Sequence, residues 1–194
     1  DIYRMRPDGT GEEPLAPRPA ADSHPAYAPD GRRIVFVSDP GDDGPPALWR
    51  MDADGSDPRP VPMAVERSFR APTWHPSGGL LAVEVVDPEG SGVYRVDPEE
   101  GSAERLAMGE SPAFGPSGDT LYYARNDSVF RRSWPGAGAS SEELVVAPGR
   151  TPRPAPDGLR LAFVRGDRPG GALYLLHLEA GTVRRVTSTP PERP

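Results

Sequence analysis

The chain has 194 residues, of which 27 are Pro, 22 are Gly and none is Cys, and its formal net charge is −7. The missing Cys excludes disulfides and thiolate metal sites within the chain, and no apolar run approaches the ~20 residues of a membrane-spanning helix, so we expect no membrane insertion. A nucleic-acid partner is also disfavoured, because it needs a basic surface to displace counterions from phosphates, and the densest basic tracts here are Arg pairs.

The first residues contain two short β patterns separated by turn residues. The letters DIYRM (1–5) and RPDGTGEEPLAP (6–17) correspond only to the last two strands of a longer unit that follows them. We therefore predict half of a repeating unit over residues 1–17.

The longer unit begins with the motif Pro-x-aromatic-x-Pro-(Asp/Ser)-Gly. It occurs as PAYAPDG (25–31), PTWHPSG (72–78) and PAFGPSG (112–118), and a fourth copy, PRPAPDG (152–158), has Pro154 in the aromatic position. The first residue of each motif, its anchor proline, is separated from the next by 47, 40 and 40 residues. Pro and Gly therefore punctuate strands at regular places, unlike those of a disordered chain.

Each motif is followed by three runs of β-forming residues separated by turn residues. The predicted second strands of the units are 33–38, 80–86, 120–125 and 159–165. The predicted third strands, each containing an aromatic residue, are 48–52, 93–97, 129–133 and 173–178. The predicted last strands are 58–63, 103–108, 142–147 and 183–188.

Four short strands in about 40 residues is the period of a β-propeller blade. We predict an all-β fold, a β-propeller of four-stranded antiparallel blades, as a single domain over residues 1–194. The predicted blades are 1–17 (half), 24–63, 71–108, 111–147 and 151–188. Because an open ring leaves strand edges bare, we expect either a larger native propeller or self-association through the open blade edge.

The motif residues have separate roles in this prediction. Pro-Asp-Gly suits the tight turn between the first and second strands, because Pro fixes φ and Gly accepts a positive φ. We expect the aromatic residues Tyr27, Trp74 and Phe114 to fill the wedge between neighbouring blades.

The segments PAYAPDGRRIVFVS (25–38) and ALWRMDADGSDPRPV (47–61) resemble the WD40-like (PD40) repeat of the TolB family, and DIYRMRPDGT (1–10) resembles its second half. The resemblance implies a propeller of six blades that binds partner proteins. It also implies a bacterial protein that is periplasmic or otherwise exported. Similar repeats occur in prolyl-oligopeptidase-type serine peptidases and in oligogalacturonate lyases. Pro154, Ser77 and Ser117 depart from the repeat, and fold transfers between such proteins better than function does.

The segments that enter the four innermost strands, 21–24, 66–70, 108–111 and 149–153, should gather around one mouth of the central channel. A ring of mixed charge there is suited to a peptide or an acidic ligand. The candidate binding residues are Asp22, His24, Arg67, Phe69, Arg70, Glu110, Arg150 and Arg153.

Three functions stay open. The sequence favours a non-catalytic propeller that binds a protein or peptide. The second is the substrate-gating propeller of a larger prolyl-oligopeptidase-type hydrolase, although this chain has no Gly-x-Ser-x-Gly. The third is a lyase with a metal in its channel, but His24, His75 and His177 occupy unrelated positions in their units, and MDADGSD (51–57) fits a hairpin turn better than a calcium loop. We predict no catalytic residue, metal site or cofactor in this chain.

Overall fold

The computed structural model describes residues 1–41, 44–63, 67–87, 90–135, 141–166 and 171–187, and of Asp87 the backbone only. These residues form eighteen β-strands and contain no α-helix. The chain divides into two compact units, residues 1–108 and 109–194.

The first unit contains a two-stranded sheet and two four-stranded sheets, all antiparallel. The half blade consists of β1 (Ile2–Arg4) and β2 (Glu13–Leu15). The first blade consists of β3 (Ala21–Tyr27), β4 (Arg33–Asp39), β5 (Ala47–Asp52) and β6 (Arg59–Pro60). The second blade consists of β7 (Ser68–Trp74), β8 (Leu81–Asp87), β9 (Gly90–Val96) and β10 (Ala103–Met108).

The second unit contains two more four-stranded antiparallel sheets. The third blade consists of β11 (Glu110–Phe114), β12 (Thr120–Arg125), β13 (Ser128–Ser133) and β14 (Glu142–Val146). The fourth blade consists of β15 (Arg150–Pro154), β16 (Arg160–Arg165), β17 (Ala172–His177) and β18 (Val183–Arg185). In every blade the strands pair in chain order, which confirms the predicted all-β class, with four complete blades and one half blade among the described residues.

A Pro-Asp-Gly or Pro-Ser-Gly turn joins the first two strands of each blade as predicted. In the first blade the Ala28 N–H donates to the Arg33 carbonyl at 2.8 Å, and the Gly31 N–H donates to the Ala28 carbonyl at 2.9 Å. The same pair of bonds occurs in the other three blades. The four turn glycines have φ between 69° and 86°, a region that L-residues with a Cβ adopt only at a cost.

A second repeated feature lies in the innermost strands and is not apparent from the motif. The residue before each anchor proline has a positive φ of 43° to 53°, although none of these residues is Gly. They are His24, Ala71, Ser111 and Thr151. The pairing of each innermost strand with its neighbour shifts register at the same place, so each strand carries a β-bulge there.

The apolar core of the first unit lies largely between its two complete blades. Trp74 is buried there, and its indole Nε1–H donates to the Ala26 carbonyl at 3.0 Å, so Trp74 fills the wedge as predicted. Tyr27 does not, because it is 53% exposed. The half blade beside it has only the strands β1 and β2 among the described residues, and it supplies no innermost strand to cover that ring. In the second unit Phe114 packs edge-on against Trp134 at 4.6 Å.

Candidate binding cleft between two blades

The eight residues predicted at the channel mouth divide between the units. Asp22, His24, Arg67, Phe69 and Arg70 belong to the first unit, and the other three belong to the second unit. Most lie within the innermost strands rather than in the segments before them, since β3 begins at residue 21 and β11 at residue 110. Residue 66 of the predicted segment 66–70 lies outside the described residues.

Asp22 is a buried carboxylate that pairs with an arginine the sequence analysis did not single out. Its side chain is 2% exposed, and Arg18 Nη2 donates to it at 2.9 Å and to the Ser38 hydroxyl at 3.1 Å. The Arg18 guanidinium also lies over the Trp49 ring at 4.0 Å from its centroid. Asp22 is therefore held inside the first blade and is not a free anion on the surface.

An arginine over the aromatic residue of the third strand recurs in all four blades. The distances from guanidinium carbon to ring centroid are 4.0 Å for Arg18 and Trp49, 5.4 Å for Arg67 and Tyr94, 4.3 Å for Arg125 and Phe130, and 5.1 Å for Arg165 and Tyr174. The first two arginines precede the innermost strand, whereas the last two end the second strand. A cation–π contact therefore occurs at this place in all four blades, although the arginine comes from the segment before the first strand in two blades and from the end of the second strand in the other two.

Arg67 and Phe69 border two adjoining cavities between the first and second blades. The smaller cavity has a volume of about 170 Å³, and the larger has about 270 Å³. Both are lined by Met63, Arg67 and Phe69. We call the two cavities together the inter-blade cleft.

The walls of the inter-blade cleft are mainly apolar. The smaller cavity is completed by Val85, Tyr94, Gly101, Ser102 and Ala103. The larger cavity is completed by Ser38, Gly44, Ala47, Trp49, Val61 and the prolines Pro40, Pro45, Pro46 and Pro60. Phe69 is buried in the core, so it shapes the floor of the cleft, whereas the half-buried Arg67 brings a permanent positive charge to its wall.

His24 and Arg70 are exposed and do not border the cleft. His24 occupies the bulge of β3, and its Nδ1 lies 3.0 Å from the Ser23 hydroxyl oxygen. Arg70 lies one residue before the bulge of β7. The structure therefore brings only Arg67 and Phe69, of the five predicted residues in the first unit, to one cavity.

In the second unit the three predicted residues lie on neighbouring innermost strands. Glu110 begins β11 and Arg150 begins β15. Arg150 forms an ion pair with Asp127 at 3.4 Å and donates to the Gly166 carbonyl. Arg153 is exposed, yet desolvation by surrounding protein lowers its pKa.

The second unit also contains a polar cluster that the sequence analysis did not find. Glu142 on β14 accepts hydrogen bonds from the Tyr123 hydroxyl and from Arg125, one of them at 3.1 Å. The Arg125 hydrogen bonds lower the pKa of Glu142, while burial raises the pKa of Tyr123 well above its usual value. Tyr123 is buried and its proton is engaged, so this cluster links β12 to β14 across β13 rather than presenting a reactive hydroxyl.

Metal ligands do not converge in the part of the chain that the structure describes. No group of three His, Asp or Glu side chains there is placed to hold an ion. In MDADGSD the Gly55 N–H donates to the Asp52 carbonyl, and Asp54 accepts from the Ser56 N–H and hydroxyl, so the segment is the hairpin turn after β5. None of the described residues forms a helix long and apolar enough to cross a membrane.

No protein-family model matches the sequence. Among solved structures, TolB from Acinetobacter baumannii superposes with a TM-score of 0.77 at 16% identity, over 93% of this chain and 47% of that protein. The putative TolB from Agrobacterium tumefaciens has a TM-score of 0.71 at 17% identity, over 88% of this chain and 63% of that protein. This chain has a TolB-like β-propeller fold.

A puromycin hydrolase mutant also matches, with a TM-score of 0.62 at 19% identity, over 88% of this chain and 29% of that protein. The chain therefore spans less than two thirds of each of these three proteins. Propellers of the same fold thus occur in proteins with different activities, and the residues of the site have to carry any functional argument.

Proposed function

We propose that the chain is a non-catalytic, TolB-like propeller domain of PD40-type repeats that binds a protein or peptide, in a periplasmic or otherwise exported bacterial protein. The observation that carries this proposal is the inter-blade cleft, whose apolar walls surround one arginine. Ligand sites commonly combine apolar walls with a few polar groups that fix orientation. Binding by the wider channel-mouth ring, including His24, Glu110 and Arg153, remains a prediction from the sequence.

Selection of random peptides displayed on phage, in one library with free amino termini and in another with free carboxyl termini, against the purified chain tests this proposal. The cleft is blocked by Ala103→Trp, since Ala103 is an exposed residue on its wall. The matched control is Ala180→Trp, since Ala180 is also an exposed alanine and lies in the turn before β18. We expect selected peptides to bind the unmodified chain and the control, and to lose at least about tenfold in affinity for Ala103→Trp, because a filled cavity excludes the ligand. Equal binding to both variants would place the peptides elsewhere, and no enrichment over an unrelated domain would refute peptide binding.

The alternative is a propeller that gates substrate in a larger prolyl-oligopeptidase-type hydrolase. It is favoured by the fold shared with hydrolytic proteins such as the puromycin hydrolase mutant. Assays of the chain with chromogenic esters and peptides, followed by the same assays on the full gene product, separate the two functions. We expect no hydrolysis from either; turnover by the full gene product alone would support the gating function.

Self-association is a further proposal for the edge of the half blade. β1 pairs only with β2 among the described residues, and Tyr3 beside that edge is exposed. An unpaired edge offers backbone groups to another strand. Sedimentation at several concentrations measures this directly, and a constant monomer mass would count against it.

A further inference from the structure

We infer that the inter-blade cleft binds the carboxyl-terminal residue of a peptide, with the terminal carboxylate on Arg67 and an apolar side chain in the smaller cavity. This inference rests on the proposed function, and it names the chemistry of the ligand. Two features of the cleft lead to it: the size of the smaller cavity and the position of the guanidinium at its wall.

The smaller cavity fits one apolar side chain. Its volume of about 170 Å³ is close to that of an apolar cavity of roughly 150 Å³ that accepts a benzene molecule. Phe69, Val85 and Tyr94 are buried and form its inner surface. A branched aliphatic or aromatic group would therefore be desolvated on entering, which favours binding.

The guanidinium of Arg67 lies where a carboxylate can reach it. Arg67 Nη1 donates to the Tyr94 hydroxyl at 2.7 Å, and Arg67 borders both cavities. In the first and third blades the corresponding arginines, Arg18 and Arg125, contact the ring of the third strand and bind a carboxylate at the same time. A ligand carboxylate could thus bind the Arg67 guanidinium while Arg67 keeps the contacts that it already makes. Guanidinium favours binding a carboxylate through two parallel hydrogen bonds.

The cleft needs a ligand whose carboxylate and apolar side chain lie close together, and this favours the terminus of a chain. A carboxyl-terminal residue bears its carboxylate and its side chain on the same Cα. In an extended internal segment adjacent side chains point to opposite faces, and side chains on the same face are about 6.6 Å apart along the strand, so a terminal residue brings the two groups closest together. The larger cavity, with Trp49 and its prolines, lies next to the smaller one and offers space for the preceding residues.

Three small probes test the inference without any selected peptide. N-acetyl-leucine has both groups, N-acetyl-leucinamide lacks the charge, and N-acetylglycine lacks the side chain. Titrations followed by NMR should show that N-acetyl-leucine binds about tenfold or more tightly than either of the others, because a charge-assisted hydrogen bond and apolar burial both contribute. Equal affinity for the acid and the amide would overturn the inference.

Substitutions test whether Arg67 causes the preference for the acid over the amide. Arg67→Gln should reduce the ratio of acid to amide affinity to about one, whereas Arg32→Gln should leave it unchanged, since Arg32 is exposed in the same unit and does not border the cleft. Tyr94→Phe removes the hydrogen bond from Arg67 to the hydroxyl but keeps the guanidinium, so it should keep the preference for the acid. If Arg67→Gln does not fold, the comparison of the three probes on the unmodified chain still decides.

The two proposals fail separately. If phage-selected peptides bind in the cleft equally well with free and amidated carboxyl termini, the terminal carboxylate is refuted and peptide binding stands. If N-acetyl-leucine shows the predicted preference but no peptide is enriched, the ligand is a small apolar acid and the proposed peptide-binding function is wrong.

Discussion

The turn that joins β9 and β10 presses against the first blade, and one glycine makes this possible. Gly101 has φ of 72°, and a Cβ built there would lie 2.5 Å from the carbonyl carbon of Pro62 and 3.2 Å from the Met63 nitrogen. The Gly181 turn of the fourth blade has the same hydrogen bonds and φ of 65°, but a Cβ there would meet nothing within 4 Å. A comparison of Gly101→Ala with Gly181→Ala therefore separates the destabilisation caused by the contact between blades from that caused by the positive φ.

The expected losses of unfolding free energy follow from these geometries. Both substitutions place alanine at a positive φ, which costs about 1–2 kcal/mol and is offset by about 0.4–1 kcal/mol from the less flexible unfolded chain. Gly181→Ala should therefore destabilise by about 1 kcal/mol. Gly101→Ala must also separate the turn from Pro62 by about 1 Å, and overpacking of this kind adds about 1–3 kcal/mol. The difference is a sizeable part of a typical stability of about 5–15 kcal/mol.

Urea unfolding followed by tryptophan fluorescence measures both losses, since Trp49 and Trp74 report on the first unit and Trp134 on the second. Gly9→Ala serves as a control in the same unit as Gly101, because Gly9 has φ of 82° and an open surrounding. Equal losses for Gly101→Ala and both controls, within about 0.5 kcal/mol, would refute the described contact between the turn and Pro62.

Three further predictions concern charge and backbone strain. Arg18→Met should destabilise by about 3–5 kcal/mol, since it leaves Asp22 buried without its partner, whereas Arg59→Met, which breaks a pair with both side chains about half exposed, should cost about 0–1 kcal/mol; thermal unfolding at pH 7 compares them. Thr151→Gly should stabilise by about 0.5–1 kcal/mol in urea unfolding, because it relieves a β-branched residue with φ of 46°. Glu142→Gln should flatten the fall of melting temperature below about pH 4.5, because the lowered folded pKa of Glu142 stabilises the fold above its unfolded pKa of 4.5 and loses that effect as pH falls through the folded pKa.

Each of these three predictions has an outcome that would contradict it. A similar cost for Arg18→Met and Arg59→Met would mean that Asp22 is not buried as described. Destabilisation by Thr151→Gly would show that the bulge conformation is not strained. Parallel acid profiles for Glu142→Gln and the unmodified chain would show that the Arg125 hydrogen bonds are not formed in solution.

The strands and turns could be predicted because their determinants are local. Gly31 and its three counterparts accept a positive φ, and Pro at the start of the turn removes a donor that the turn does not use. The alternation of such turns with runs of β-forming residues then predicts the number of strands in each blade. The ends of the strands needed the structure, as in β6, which is two residues long where six were predicted.

The candidate site depended on contacts distant in sequence, so most of it could not be predicted. The position of Arg67 before an innermost strand predicts its place at the site, but its stacking on Tyr94 depends on the neighbouring strands of the blade. Arg18 lies in a proline-rich link and carries no motif, and only its place beside Trp49 shows its role. The positive φ before each anchor proline could not be predicted either, because Ala71 and Thr151 are not residue types that favour that conformation.

The most direct test of the account is hydrogen–deuterium exchange of the chain with and without a phage-selected peptide. Binding in the inter-blade cleft predicts slower exchange in the segments 44–49, 67–69 and 101–103, which border it, and no such change in Ala103→Trp. Protection confined to other segments, or protection that survives Ala103→Trp, would contradict the assignment of the cleft as the binding site.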